Sequence, residues 1–180
     1  MKNNILKNTK ILTLLALCSS LSATLRIALS FIPNFQPLTD IIIFIAVIMG
    51  PALGVVHVVL SVFLSNLILG SGYWTINQIL AFSAVVILAY ILNYFVEKRN
   101  WNFKIIFIIF CGLSGFLYGF IMSILEVLIF SVKSFKVYYL AGIPFDMLHA
   151  AGNIVFFVLL YPTLYKVIDI SYKRIVNADK

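Results

Sequence analysis

Long apolar segments follow one another along almost the whole chain, and they constrain its fold more than any other feature. A helix needs roughly 20 apolar residues to cross the ~30 Å hydrocarbon core of a bilayer. Proline and glycine mark most of the breaks between segments. The segments run approximately over Ile11–Ile32, Asp40–Met49, Leu53–Leu69, Ile76–Val96, Lys104–Ser131 and Gly142–Val167. The sequence therefore predicts an all-α integral membrane protein, a bundle of six transmembrane helices forming a single domain over residues 1–180.

The second segment is shorter than the others. Its roughly ten residues would span only about 15 Å as a helix. We expect it to be short, tilted or merged with a neighbouring helix.

Composition excludes the main soluble classes. Residues are 63% hydrophobic and only 11% charged, which a water-soluble domain of 180 residues could not tolerate. The 13 Lys and Arg exceed the 6 Asp and Glu, but the basic residues occur in short clusters between apolar segments. This distribution indicates membrane topology, and we expect no nucleic acid partner.

The basic clusters predict an orientation. If the N-terminus is cytoplasmic, ten of the 13 basic residues are cytoplasmic, as the positive-inside rule expects. Only Arg26, Lys133 and Lys136 then lie toward the outside. We read Ile11–Ile32 as a retained first helix, because it is too long for a signal peptide. The predicted location is the cell membrane, multi-pass, with both termini cytoplasmic.

The predicted outer connections collect polar and aromatic residues that suit a ligand site. An interfacial aromatic belt is the alternative for the tyrosines, whereas we favour a pocket for the tryptophan. The last helix adds polar residues at spacings of three and four, which share one face. The predicted substrate-binding residues are Asn34, Gln36, Tyr73, Trp74, Asn77, Gln78, Tyr139, Asp146, His149 and Asn153.

The polar face of the last helix has two interpretations. Polar side chains at membrane depth usually face other helices, either to form interhelical hydrogen bonds or to serve function. Asp146, His149 and Asn153 are equally compatible with both. Asp146 and His149 alone do not suggest a metal site, and Cys18 and Cys111 lie in apolar stretches typical of small buried residues.

The fifth segment carries Gly115, Gly119, Met122 and Glu126 on one face. The glycines predict close helix packing. Glu126 is expected either to pair with Arg26 or to point into the ligand site, with the pair favoured. His57, in the third segment, is expected to be a packed or hydrogen-bonded residue.

Small residues form two interleaved pairs in the first segment, Ala16 with Ser20 and Ser19 with Ala23. Such residues at a spacing of four let another helix approach closely. The partner helix could be internal or belong to another subunit. These four residues are the predicted docking surface.

Motifs for independent energy use or catalysis are absent from the sequence. It contains no phosphate-binding Gly-Lys-Ser/Thr loop, no His-Glu-x-x-His pair and no Gly-x-Ser-x-Gly elbow. We expect neither an enzyme nor a cofactor. An ion-coupled small-molecule transporter is an alternative, with Glu126 and Asp146 as coupling groups.

Several motifs together resemble a known family, the substrate-binding S components of energy-coupling factor (ECF) vitamin transporters. The resemblance covers nearly the whole chain. It includes the helix 1 small residues followed by Arg26, Pro33-Asn34-Phe35-Gln36-Pro37, Gly50-Pro51-x-x-Gly54, Gly70-x-Gly72-x-Trp74-Thr75-x-x-Gln78 and Gly142-x-Pro144-Phe145-Asp146-x-x-His149-x-x-x-Asn153. The Gly-x-Trp-Thr-x-x-Gln variety looks most like the cobalamin-specific members.

The resemblance implies a binding subunit that captures a vitamin at its outer face. It implies a transmembrane coupling subunit and two cytosolic ATPase subunits as partners, which drive uptake by an ABC-type transporter. Ala16 and Ser20 match the family's docking motif, with serine in place of its usual second alanine. Cobalamin is the ligand implied first, and the same amides and aromatics would also suit riboflavin or a queuosine precursor.

Overall fold

The computed structural model describes residues 8–130 and 134–178, and all the secondary structure in these ranges is helical. The helices are α1 (Thr9–Ala28), α2 (Leu38–Met49), α3 (Pro51–Leu69), α4 (Tyr73–Lys98), α5 (Phe103–Phe130), α6 (Phe135–Leu160) and α7 (Lys166–Ala178). A π-helical turn, Tyr161–Tyr165, joins the last two into one helical segment of 44 residues.

Five helical segments in the described residues are long and apolar enough to cross a membrane. Four are α1, α3, α4 and α5, and the fifth is the α6–α7 segment. This confirms the prediction of an all-α membrane protein. The number of six spans and the cytoplasmic position of both termini stay predictions.

The short helix α2 lies at the centre of the bundle. It has only 12 residues, and all of Leu38–Ala46 are buried. It packs against every other helix of the described chain. A helix that is apolar on all sides is suited to such a position, and it need not match the bilayer thickness because other helices surround it.

The loop before α2 enters the bundle instead of crossing its end. Phe35 packs on α6, with its ring centroid 5.2 Å from that of Phe156 and its ring against Gly152. Thr39, in the first turn of α2, is hydrogen-bonded to His149 of α6. The first loop and the start of α2 therefore fill the interior beside α6.

Two tight turns depend on glycine. Gly50, between α2 and α3, has a φ of 90°, and Gly70, between α3 and α4, has a φ of 104°. Side chains with a Cβ rarely adopt such values. Pro51 follows at the first position of α3, where its fixed φ suits a helix start.

Helices α5 and α6 form the most extensive pair. A Cβ added at Gly115 would lie 2.5 Å from the backbone nitrogen of Ala150, and one at Gly119 would collide with the Asp146 carboxylate. The glycines therefore allow the two backbones to approach closely, as the sequence predicted.

Helix α6 differs from the sequence prediction at both ends. It begins at Phe135 and not at Gly142, so Pro144 lies inside it and marks no break. Membrane helices tolerate an internal proline because neighbouring groups satisfy the freed carbonyl. The part of the predicted loop Val132–Ala141 that is described is helical from Phe135 onward, and residues 131–133 lie outside the described ranges.

The helical structure also continues past the predicted end at Val167. Helix α7 buries Ile168 against Ile11 and Leu15 of α1, and its tyrosine and aliphatic residues 172, 175 and 176 pack nearby. The sequence analysis missed this helix because its alternating charges lower the apolar content. It also extended α1 to Ile32, whereas α1 ends at Ala28.

The close contact of α5 and α6 gives a first prediction. Gly115→Ala should destabilise the protein by about 1–3 kcal/mol, because the added methyl group overlaps the Ala150 backbone. Gly142→Ala is the matched control on α6, since a Cβ there meets nothing within 4 Å. Thermal unfolding in detergent should show a lower Tm for the first variant only. Equal Tm values would contradict the proposed packing role.

Candidate ligand-binding site

A cavity of about 450 Å³ lies between α4, α5, α6 and the loop after α1. That volume is in the range of pockets that hold small organic molecules. Its lining combines two carboxylates, two amides, three hydroxyls and an apolar surface. The lining residues are Asn34, Gln78, Tyr118, Gly119, Met122, Ser123, Glu126, Tyr138, Ala141, Gly142, Phe145 and Asp146.

Hydrogen bonds tie together the helix ends behind the cavity wall. The buried Arg26 of α1 donates from Nη1 to Ser65 Oγ at 2.6 Å and to Asn66 Oδ1 at 3.0 Å, both on α3. Asn66 Nδ2 in turn donates to Thr75 Oγ1 and Gln78 Oε1 on α4, each at 2.9 Å. This chain of contacts fixes the Gln78 side chain at the edge of the cavity.

Glu126 does not pair with Arg26, so the favoured prediction of an ion pair was wrong. Its Oε1 accepts a hydrogen bond from Asn77 Nδ2 at 3.1 Å, and it lines the cavity. Arg26 is instead satisfied by the neutral oxygens of α3. The position of Glu126 in the cavity lining agrees with the alternative prediction, in which it points into the ligand site.

The polar face of α6 is buried, and its members have different environments. Asp146 lines the cavity, whereas His149 and Asn153 lie deeper in the bundle. His149 Nε2 is hydrogen-bonded to Thr39 Oγ1 at 2.8 Å. Asn153 Nδ2 donates to the Cys111 carbonyl oxygen at 2.9 Å. The two deeper residues thus connect α6 with α2 and α5.

Several residues of the connections that were predicted to be outer are not part of the cavity lining. Trp74 donates from Nε1 to the Gly70 carbonyl oxygen at 3.3 Å and packs over Gly72. Its ring is edge-to-face with Tyr73, while Tyr139 packs against other aromatic rings of α5 and α6. Gln36 and Asn77 also lie outside the lining.

Three of the ten predicted substrate-binding residues line the cavity: Asn34, Gln78 and Asp146. The sequence analysis did not assign the α5 residues Tyr118, Met122 and Ser123 to the site. A signal for them existed, because positions 118, 122 and 126 share one helix face that ends in a carboxylate. The glycines of that helix were interpreted as a packing surface, and only Glu126 was given the alternative of pointing into the ligand site.

Asp40 is a buried carboxyl group that the sequence analysis placed at the edge of an outer loop. It lies in the first turn of α2 and is fully buried, beside the thiol of Cys111. Apart from that thiol, neither of its carboxyl oxygens has a hydrogen-bond partner within residues 8–130 and 134–178. Both cysteines are buried, as expected for small apolar residues.

The four small residues of α1 do not form one surface. Ser19 Oγ is hydrogen-bonded to His57 Nδ1 at 2.9 Å, and Ala23 is also buried. Ala16 and Ser20 are exposed on the outside of the bundle. His57 is fully buried among serines, which confirms that it is a hydrogen-bonded residue.

The polar contacts behind the cavity give a second prediction. Asn66→Ala should destabilise the protein by about 1–2 kcal/mol, because Arg26 and Gln78 each lose a partner. Thr13→Ala is the control, since its hydroxyl bonds only within its own exposed helix turn. Thermal unfolding measures both. A Tm for Asn66→Ala equal to that of the control would exclude this bracing role.

Comparison with known protein families gives one match. The model of the family described as "ECF transporter, substrate-specific component" matches residues 10–161. No curated protein and no solved structure matches the chain. The matched range includes every described residue that lines the cavity.

Proposed function

Because the chain belongs to the family of substrate-specific components of ECF transporters, we propose that it captures a vitamin or vitamin-like solute in the cavity between α4, α5 and α6. Members of this family are substrate-binding membrane subunits, not enzymes, and they work with membrane coupling and ATPase subunits. The protein would release its ligand only after docking on such a coupling complex.

The observation that carries the proposal is the chemistry of the cavity. An enclosed apolar surface supplies binding energy, and a few fixed polar groups supply orientation. Phe145 and Met122 provide the first, whereas Gln78, held by Asn66, provides the second. Asn34 closes one side from the loop that enters the bundle.

The cavity is proposed to face outward, with both termini in the cytoplasm. It lies at the end of the bundle where α1 finishes and α4 begins, as the Arg26–Asn66–Gln78 contacts show. Lys10, Lys98 and Lys104 belong to the opposite helix ends. The positive-inside rule places that basic end in the cytoplasm.

Ligand size restricts the identity of the solute. A cavity of about 450 Å³ can enclose a molecule the size of riboflavin or a queuosine precursor. Cobalamin is much larger and would have to keep most of its corrin ring outside, against the turn that contains Trp74. We therefore propose a small vitamin as the first candidate and cobalamin as the second.

Titration of the purified protein with riboflavin, a queuosine precursor and cobalamin tests the proposal. At least one should bind with a Kd of about 1 μM or below, equivalent to roughly 8 kcal/mol. Phe145→Ala should weaken that ligand about tenfold or more, because it removes an aromatic wall. Phe95→Ala, on an exposed face of α4 remote from the cavity lining, should leave the affinity unchanged.

The variant Trp74→Ala tests whether the ligand contacts only the cavity or also the turn that contains Trp74. We expect its affinity to stay within about threefold of the wild type, because Trp74 contacts Gly70 and Gly72 and not the cavity. If this variant lost as much affinity as Phe145→Ala, the site would extend to the turn. Unchanged affinity in Phe145→Ala itself would remove the cavity from the proposal.

The exposed pair Ala16 and Ser20 is proposed as the docking surface for the coupling subunit. Two small residues one helical turn apart allow a partner helix to approach closely. Ser19 and Ala23 are excluded from this role because they face the interior beside His57. The docking surface and the cavity thus occupy different parts of the molecule.

The double variant Ala16→Leu/Ser20→Leu tests this surface. It should retain ligand binding but lose co-purification with the ATPase-bearing complex, since leucine is tolerated by lipid but prevents a close helix crossing. Ala151→Leu, on the exposed face of α6, is the control and should co-purify normally. Normal co-purification of the double variant would exclude the surface, and loss of ligand binding would show that the pair packs internally.

A further inference from the structure

The charges that line the cavity all have the same sign. Glu126 and Asp146 contribute two carboxylates, and no described residue of the lining is Lys, Arg or His. The nearest buried cation is Arg26, which lies close enough to Tyr118 to interact electrostatically but donates its hydrogen bonds to Ser65 and Asn66. Among the residues that the structure describes, none therefore provides a cation to pair with these carboxylates inside the cavity.

The two carboxylates also have unused hydrogen-bonding capacity. One oxygen of Asp146 is buried and has no partner among the residues that the structure describes. Glu126 has only neutral partners in this part of the chain, the amide of Asn77 and the hydroxyl group of Tyr73. In the described chain the ion pair that does form, Lys173 with Asp169, lies on α7. A buried carboxylate without a cation is costly, so a positively charged donor in the cavity would be strongly favoured.

The position of Asp146 is fixed by the backbone facing it. Its carboxylate occupies the space where a side chain at position 119 would begin, and only glycine leaves that space open. Asp146 is also buried, and it lines the cavity. The close packing of α5 and α6 therefore holds this acceptor at the cavity wall.

Aromatic groups complete the lining around the carboxylates. Tyr118, Tyr138 and Phe145 come from two different helices and all border the cavity. Aromatic faces attract organic cations and also pack against planar rings. This combination differs from a site for a carboxylate-bearing ligand, which would require arginine, lysine or a helix N-terminus.

We infer that the cavity selects a ligand with a positive charge, a small aromatic or heteroaromatic amine whose cationic group is bound by Glu126 and Asp146. The inference rests on the proposed function, because it specifies the substrate class of the same cavity. Anionic vitamins are excluded by repulsion from both carboxylates, which the low-dielectric surroundings strengthen. Neutral ligands of the same shape bind more weakly because Asp146 then lacks a charged partner.

Three compounds that share a phenethyl group and differ in the charge of the terminal group test the inference with the full-length protein. Phenethylamine is a cation at neutral pH, 2-phenylethanol is neutral, and 3-phenylpropionate is an anion. Isothermal titration in a neutral maltoside detergent avoids charge effects from the micelle. We expect the amine to bind about tenfold or more tightly than the alcohol, and the acid to bind most weakly.

Neutral variants of the carboxylates identify the groups responsible. Glu126→Gln and Asp146→Asn should each reduce the preference for the amine about tenfold while retaining the fold, because both keep an oxygen acceptor. Asp169→Asn is the matched control, because that carboxylate lies on α7 beside Lys173. The preference of this variant for the amine should equal that of the wild type. Ala141→Trp, at the cavity lining, should weaken all three compounds.

Three results would overturn the inference, and the first two are equal or tighter binding of the alcohol or the acid, and an unchanged amine preference in both carboxylate variants. Unchanged binding in Ala141→Trp would also overturn it, because the compounds would then bind elsewhere. The proposed function fails separately. A protein that prefers the amine but binds no vitamin would contradict only that function, whereas tight binding of an anionic vitamin in the cavity would contradict only the charge inference.

Discussion

A bilayer cannot solvate polar groups, and the arrangement of this bundle follows from that constraint. Many polar side chains of its long helices are turned inward, and several of them are hydrogen-bonded to a neighbouring helix. His57 with the serines of α1 and α3, Arg26 with Asn66, and His149 with Thr39 are the principal connections. These contacts specify which helix faces meet, a choice that apolar surfaces alone leave open because lipid is equally apolar.

Close backbone contact is the second requirement, and it links the fold to the site. Gly115 brings α5 against the backbone of α6, and Gly119 leaves the space that the Asp146 carboxylate occupies. The same helix pair therefore stabilises the bundle around Gly115 and forms a wall of the cavity around Gly119. The entry of the first loop beside α6 closes the cavity at its side with Asn34.

Much of the fold could be predicted from the sequence, because long apolar segments and glycine or proline breaks directly reflect the bilayer constraint. The central helix α2 was recognised as short, but its burial on all sides was not, since hydropathy does not distinguish lipid from protein surroundings. The start of α6 was predicted at Gly142, beside Pro144, and not at Phe135, because proline ends helices in water yet is accommodated in a membrane helix. At the site, Asn34, Gln78 and Asp146 were predicted to bind substrate and line the cavity, whereas Trp74 lies outside it. Local sequence indicates which residues are polar, but only the packing of α5 on α6 determines which of them share a cavity.

We propose that this chain binds the solute and that separate subunits supply the energy for its uptake. Proteoliposomes that contain the chain together with the coupling and ATPase subunits test it most directly, with the bound vitamin outside and ATP supplied on the ATPase side. We expect accumulation that requires ATP and all subunits, and binding without accumulation when the chain is reconstituted alone. Accumulation by the chain alone, without ATP and abolished by an ionophore, would contradict it and indicate an ion-coupled transporter.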